Sequence, residues 1–385
     1  MTALPLKILG LLVLIGATAF ALPPPPSHYA FYERYIGIDD ACAWPSLHAL
    51  PGGRLAVFVW PKNNHGATEG AYECWISDDH GVRWKRASVP VPNEPGTNRM
   101  HIGGGVVDGK LVALVGGLTH RPSYAEGARF WEKNIAGSTN VPVLAAVSGD
   151  GGMTWKQSGD LNLPKRPRSQ KHSTPFGRIV KLPDGSHGAF IYGEGVHFYL
   201  SADGGMSWKQ QGTLSPHRPD LEGGAVHNET NVVVLANGDL FAASRSYRSE
   251  AFLGAGGLDG FRSTDQGRTW TLEGPLALPD QYPADLTRLP NGKVLLTYAS
   301  RNVGSRGIWI RFGSADAKAW SAPRLLVDLE GSYENQYEKP ATDGGYPSTV
   351  LAADGNAVTV YYSRGVPAHQ RYHMGVVRWR LPQWP

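Results

Sequence analysis

An apolar run, a tight turn closing on glycine, and a second apolar run recur along this chain. The copies are LHALPGGRLAVFVW around Gly53, GGGVVDGKLVALV around Gly109 and GRIVKLPDGSHGAFIY around Gly185. They continue with NVVVLANGDLFAAS around Gly238, LTRLPNGKVLLTY around Gly292 and TVLAADGNAVTVYY around Gly355. Each reads as a β-hairpin, because β-branched and aromatic residues bracket a turn whose glycine supplies a positive φ. Successive turn glycines lie 56, 76, 53, 54 and 63 residues apart. Every interval has room for about four short strands, which is what one blade of a propeller needs. The pattern therefore predicts an all-β chain folded as a six-bladed β-propeller. Only 30 residues follow Gly355, ending on HMGVVRWRL, while HYAFYERYIGI (His28–Ile38) is left without a blade. This N-terminal segment is expected to supply the last strand of blade six and so close the ring.

A second repeat follows the hairpins. Ser-x-Asp-x-Gly-x-x-Trp occurs at Ser77–Trp84, Ser148–Trp155, Ser201–Trp208 and Ser263–Trp270, with a shortened copy at Ser314–Trp320. The Asp can accept hydrogen bonds from amides just ahead of it, the Gly relieves the turn, and the Trp buries a large ring. These roles are structural and place the octapeptides at turns between outer strands, away from any site. The motif is similar to the Asp-box (BNR repeat), so the chain resembles the sialidase-like propellers.

Composition narrows the function classes. Residues 1–21 carry Lys7, an apolar stretch Ile8–Ala17 and Ala19-Phe20-Ala21, the layout of a secretory signal too short to anchor in a bilayer. Residues 22–27 hold a proline spacer, and residues 28–385 are read as one propeller domain, a monomer exported to the periplasm or beyond. The 12 Trp and 48 Gly suit packed blades and many turns. A net charge of +4 is too mild and dispersed for nucleic acid but suits an acidic glycan. Cys42 and Cys74 fall in the first and third predicted strands of blade one; export permits a disulfide, but these strands are not neighbours. No cofactor fingerprint is present. His65, His101 and His172 have no short-loop or helical ligand spacing, so no metal site is expected.

The innermost strand of each blade lines the channel, and its first residues face the ligand end. Counting nine back from each turn glycine samples one level: Trp44, Met100, Phe176, Glu229, Pro283 and Tyr346. Glu229 and Tyr346 are the titratable pair, on blades four and six. The same pairing fits a half-buried hydroxyl satisfied by a structural Glu. Asp285, two residues past Pro283, shares its side of the strand. His101 opens blade two on the same rim.

Here the resemblance to sialidases becomes residue-specific. In that family a Tyr nucleophile on the last blade pairs with a Glu, and arginines hold the substrate carboxylate. Glu229-Thr-Asn-Val-Val-Val-Leu-Ala-Asn-Gly238 follows the family's E-x-x-V-x-x-L-x-x-G stretch, and Arg245 stands seven after the glycine. Tyr346 stands nine before Gly355, and Arg306 eight before Ser314. The resemblance implies Tyr346 as nucleophile, Glu229 as its base, and Arg245 and Arg306 on a carboxylate. A neutral Tyr approaches an anomeric carbon bearing a carboxylate without charge repulsion, and this is a known exception to two-carboxylate glycosidases. Two positions depart from the pattern. Ala43 stands where the family's first clamp Arg belongs, and the loop Pro61–Ala71 has no Asp for the acid role. His65, Glu69 or Asp285 is left for that proton, with Trp44 and His101 as further substrate contacts. The leading expectation is an exported exo-sialidase-like hydrolase of a terminal acidic sugar. A uronate-cleaving lyase and a non-catalytic binding propeller are the other two readings.

Overall fold

The computed structural model describes residues 31–64, 66, 68–119, 138–163, 173–216, 226–247, 256–302, 304–329, 343–365 and 369–382. The expected signal (1–21), the proline spacer (22–27), His65 and His172 lie outside the described residues. Among those described there is no helix, and so none long and apolar enough to cross a membrane.

Strands come in antiparallel groups of four. The first is β2 (Ala43–Ala49), β3 (Leu55–Trp60), β5 (Glu73–Ser77) and β6 (Lys85–Ser88). The second is β8 (His101–Val107), β9 (Lys110–Leu118), β10 (Asn140–Ser148) and β11 (Lys156–Gln157). The third is β12 (Thr174–Lys181), β13 (His187–Gly193), β14 (Gly195–Ser201) and β15 (Lys209–Ser215), joined to the second by a short parallel pairing of β8 with β12. Then come β16 (His227–Val234), β17 (Leu240–Ser246), β18 (Leu258–Ser263) and β19 (Thr271–Ala277). The fifth group is β20 (Gln281–Arg288), β21 (Val294–Ser300), β22 (Gly307–Gly313) and β23 (Arg324–Asp328). In the last, β24 (Asp343–Leu351), β25 (Ala357–Arg364) and β26 (His373–Trp379) take the N-terminal β1 (Tyr32–Asp39) as their outer strand. A small parallel pair, β4 (Gly70–Ala71) with β7 (Asn98–Arg99), links the first two groups.

Each first strand lies beside the next: β2 beside β8, then β12, β16, β20 and β24, which lies beside β2 again. The predicted hairpins are the first two strands of each group, and the six turn glycines all take φ between 75° and 90°. The octapeptides sit at the third-to-fourth strand turns. At Ser201, Oγ accepts the Gly205 amide (2.9 Å) while Asp203 accepts the Ser207 amide (2.9 Å). Their tryptophans pack on the preceding sheet: Trp155 on Phe58, Trp270 on Phe190 and Phe198, Trp320 on Phe241. The apolar core is thus laid between sheets, group by group. Cys42 and Cys74 are buried free thiols, with β3 standing between the strand that follows Cys42 and the strand that carries Cys74.

Candidate active site

Five of the six first strands break register at one level. The shifts fall at Ala43/Ser46 in β2, Phe176/Val180 in β12, Asn228/Thr230 in β16, Gln281/Ala284 in β20 and Gly345/Ser348 in β24. β8 pairs with β9 without a shift. A bulge re-aims side chains that regular pleating would alternate. Trp44, Phe176, Glu229 and Tyr346 all stand at these bulges. Trp44 (φ 39°) and Tyr346 (φ 49°) take left-handed conformations, a strain that bulky residues hold only where the surroundings impose it.

The bulged residues converge. Tyr346 donates its phenol hydrogen to Glu229 Oε1, and Glu229 Oε2 accepts Arg245 Nη1 at 3.0 Å. The Tyr346 ring lies 6.3 Å from Trp44, 6.0 Å from Phe176 and 5.7 Å from Tyr362. The Arg245 guanidinium stacks 3.9 Å from the centre of the Tyr282 ring, and Arg301 stacks on that ring at 4.9 Å. Among the described residues, neither the Arg245 Nε nor the Arg301 Nε, both buried, has a hydrogen-bond partner.

Electrostatics follow from this crowding. Burial, then the Glu229 charge, pushes the Tyr346 phenol well above its ordinary range, with Arg245 and Arg301 pulling the other way. Burial works to strip Arg245 of its proton, but Glu229 and the surrounding tyrosines outweigh it. Tyr346 is thus a neutral phenol poised on a carboxylate. Burial also pushes the Cys74 thiol up to about 12, and Cys42 well above its usual value, so neither is a reactive thiolate at neutral pH.

Of the residues expected from sequence, Tyr346, Glu229, Arg245 and Trp44 come together. Asp285 goes elsewhere. It is 1% exposed and both its oxygens are engaged below the site, by Arg178, Asn231 and the Thr349 amide, which leaves no lone oxygen for acid chemistry. Glu69 is exposed on the 61–71 loop and His65 lies outside the described residues. His101 is half-buried at the start of β8, opposite Gly116. Arg306 feels the charges of Asp343 and Arg301, and burial lowers its proton affinity. Arg301 shares the Tyr282 ring with Arg245 and was not singled out from sequence. A signal existed: the second strands of groups four and five both run into Ser-Arg, at Ser244-Arg245 and Ser300-Arg301. Ala43 is fully buried, so Trp44 is the residue that reaches the site from this corner. Among the described residues no cluster of three or more His, Cys, Asp or Glu could hold a metal ion.

Comparison with known proteins bears on the fold. The family described as the BNR repeat-like domain matches residues 133–360. A crystal structure of a protein of unknown function from Dyadobacter fermentans is 20% identical, with a TM-score of 0.68 over 91% of this chain and 98% of that one. The sialidase of Trypanosoma rangeli is 14% identical with a TM-score of 0.56, covering 89% of this chain but 55% of its own. The intramolecular trans-sialidase from Ruminococcus gnavus, in complex with oseltamivir carboxylate, is 12% identical with a TM-score of 0.61 over 94% of this chain and all of that one. No curated protein sequence matches. At these identities the structural likeness speaks for the fold, which is of the β-propeller type. With more than half its length matched, the chain belongs to the family described as the BNR repeat-like domain.

Proposed function

We propose that this chain is an exported glycoside hydrolase that removes a terminal acidic sugar. In this reading the six four-stranded groups are six blades around one channel, the octapeptides are Asp-boxes, and β1 closes the last blade. Residues 28–385 form the single domain, and residues 1–21 the cleaved export signal. The observation that carries the reading is the pair of half-buried guanidiniums, Arg245 and Arg301, each with a buried Nε that has no partner among the described residues, beside the Tyr346–Glu229 hydrogen bond. A carboxylate accepts such donors in pairs, and it would offset the second positive charge that Glu229 leaves uncompensated.

The chemistry runs from the residues. Tyr346 Oη attacks the anomeric carbon as its proton passes to Glu229, and the bond to the leaving oxygen breaks. That oxygen takes the proton of a protonated carboxyl on the 61–71 loop, for which Glu69 is the exposed candidate since Asp285 is engaged elsewhere, leaving the Glu69 carboxylate. Water then gives its hydroxyl to the anomeric carbon and its proton to the Glu69 carboxylate, while the tyrosyl–sugar bond breaks and Glu229 returns the proton to Tyr346. Trp44 and Phe176, flanking Tyr346, offer an aromatic wall for the apolar edge of the sugar.

The test is incubation of the mature protein with a panel of sialosides and uronate polysaccharides. A released acidic monosaccharide, abolished in Tyr346→Phe, is expected. An unsaturated uronate absorbing in the near ultraviolet would replace the hydrolase by a lyase. Silence throughout, with Tyr346→Phe binding sugars as wild type does, would leave a binding protein.

A further inference from the structure

Below the Tyr346–Glu229 pair, one ion pair gathers five of the six first strands. Asp285 on β20 accepts Arg178 Nε at 2.8 Å on one oxygen and Arg178 Nη2 at 2.6 Å on the other. It also accepts Asn231 Nδ2 (2.8 Å), the Leu286 amide (3.0 Å) and the Thr349 amide (2.6 Å). Arg178 on β12 reaches on to the Thr349 carbonyl at 2.6 Å and the Leu47 carbonyl at 3.3 Å. The sixth strand, β8, contributes glycine here: a Cβ on Gly104 would lie 2.6 Å from His48 Nε2.

The placement along each strand repeats. Arg178 is two residues past Phe176, and Asn231 two past Glu229. Leu47, Asp285 and Thr349 are three past Trp44, Tyr282 and Tyr346. Every first strand that delivers a bulged residue to the site is therefore held by the same carboxylate–guanidinium pair just beneath its bulge. We propose that Arg178 and Asp285 are positioning residues that set the separation of Glu229 and Tyr346, rather than members of the reacting group. A buried ion pair is poor evidence for stability, because desolvation offsets attraction, but it does fix geometry. Geometry matters here: Glu229 and Tyr346 sit on different sheets, and their hydrogen bond tolerates little displacement.

The experiment labels tyrosine with carbon-13 at Cζ and identifies the Tyr346 resonance by its loss in Tyr346→Phe. In Asp285→Asn, and to a smaller degree in the gentler Arg178→Lys, that resonance is expected to move toward the position of free tyrosine. Arg311→Met is the control, since Arg311 holds two carbonyls between outer strands (2.8 and 2.7 Å) and bears only on stability. If the resonance stays in place in folded Asp285→Asn or Arg178→Lys, or moves equally in Arg311→Met, the proposal falls. Should Asp285→Asn fail to fold, Arg178→Lys decides. A kinetic arm rests on the hydrolase reading: kcat should fall on the order of 10- to 100-fold with KM little changed. A wild type without activity would sink that reading and leave the resonance arm to judge the positioning role.

Discussion

Replacing Glu229 by Gln should act in opposite directions on the empty and the occupied site. Glu229 is 6% exposed and is the carboxylate partner of Arg245, at 3.0 Å. Removing its charge but keeping an acceptor leaves the Arg245 guanidinium without its counter-ion beside a second cation, Arg301. Breaking such a buried pair costs about 3–5 kcal/mol. Gln retains a hydrogen bond and Arg245 keeps some solvent contact, so about 2–3 kcal/mol is expected, or about 3 °C in Tm at this chain length. The occupied site should respond the other way. A bound carboxylate on Arg245 would lie on the order of 6 Å from Glu229. The repulsion there is about 1.5–3 kcal/mol at an effective dielectric of roughly 20–40. Relief of that repulsion should tighten binding about 10- to 100-fold.

Thermal unfolding with increasing free sialic acid or glucuronate reads both effects in one titration. The variant should start below wild type and gain more from the same ligand; on the proposed hydrolase reading it should also lose turnover for want of a base. A variant that binds the carboxylate more weakly than wild type would refute the reasoning. Glu229 would then serve to order Arg245 for its ligand, and the two anions would not compete.

Three further perturbations test the frame and the corner of the site. Gly204 and Gly205 share one octapeptide turn at φ 77° and 94°, but a Cβ on Gly204 meets nothing within 4 Å, while one on Gly205 would lie 2.7 Å from Val112 Cγ1. Gly204→Ala should cost about 1 kcal/mol and Gly205→Ala about 2–4 kcal/mol in denaturant unfolding; equal costs would contradict this. Burial alone would raise the Asp203 carboxyl, but bonds from Ser207, Ser201 and Met206 outweigh it and bring it down to about 2. Its contribution is therefore complete above the unfolded value near 4 and disappears as pH falls toward about 2. Asp203→Asn should be less stable by about 1 kcal/mol at pH 6 and equal to wild type near pH 2; a gap independent of pH would disprove the assignment. Ala43→Arg must place a guanidinium from a fully buried position at φ 65°, so a loss of about 3 kcal/mol or more is expected, with no gain in carboxylate affinity; tighter binding by a folded variant would mean the corner can open.

The hairpins were legible because their turns carry local chemistry: a glycine at positive φ between apolar runs has few other uses. The site was legible only to the level of its bulges. Counting back from the turn glycine finds Trp44, Phe176, Glu229 and Tyr346, since each strand bulges at nearly the same distance from its turn. It misplaces group five, where the count lands on Pro283 but Tyr282 meets the two cations. Asp285 was expected on the site's side of its strand, an inference from regular alternation, whereas the register shift at Gln281/Ala284 lies just before it and its carboxylate is spent on the pair with Arg178. Arg306 was chosen by spacing from an octapeptide across a connection. Arg301 was overlooked because it falls just beyond the end of β21, nine residues after its glycine rather than seven.

What separates a site from a well-packed interior here is where charge is balanced. Below the bulges, Arg178 and Asp285 neutralise one another, and the Asp285 oxygens and the Thr349 amide and carbonyl are all engaged, so that layer has little left to bind. One level up, Glu229 pairs with Arg245, Arg301 stacks on the same Tyr282 ring as Arg245, and the buried Nε of each guanidinium has no hydrogen-bond partner among the described residues. A buried unpaired donor costs about 1–3 kcal/mol, and nothing in the packing of Tyr282 or Tyr346 requires it. A neutral side chain of the same length could stack on Tyr282 at less cost. Retaining both charges is therefore intelligible if an anion completes the site. It also explains why the strained Tyr346 and its hydrogen bond to Glu229 lie at the uncompensated level and not at the balanced one.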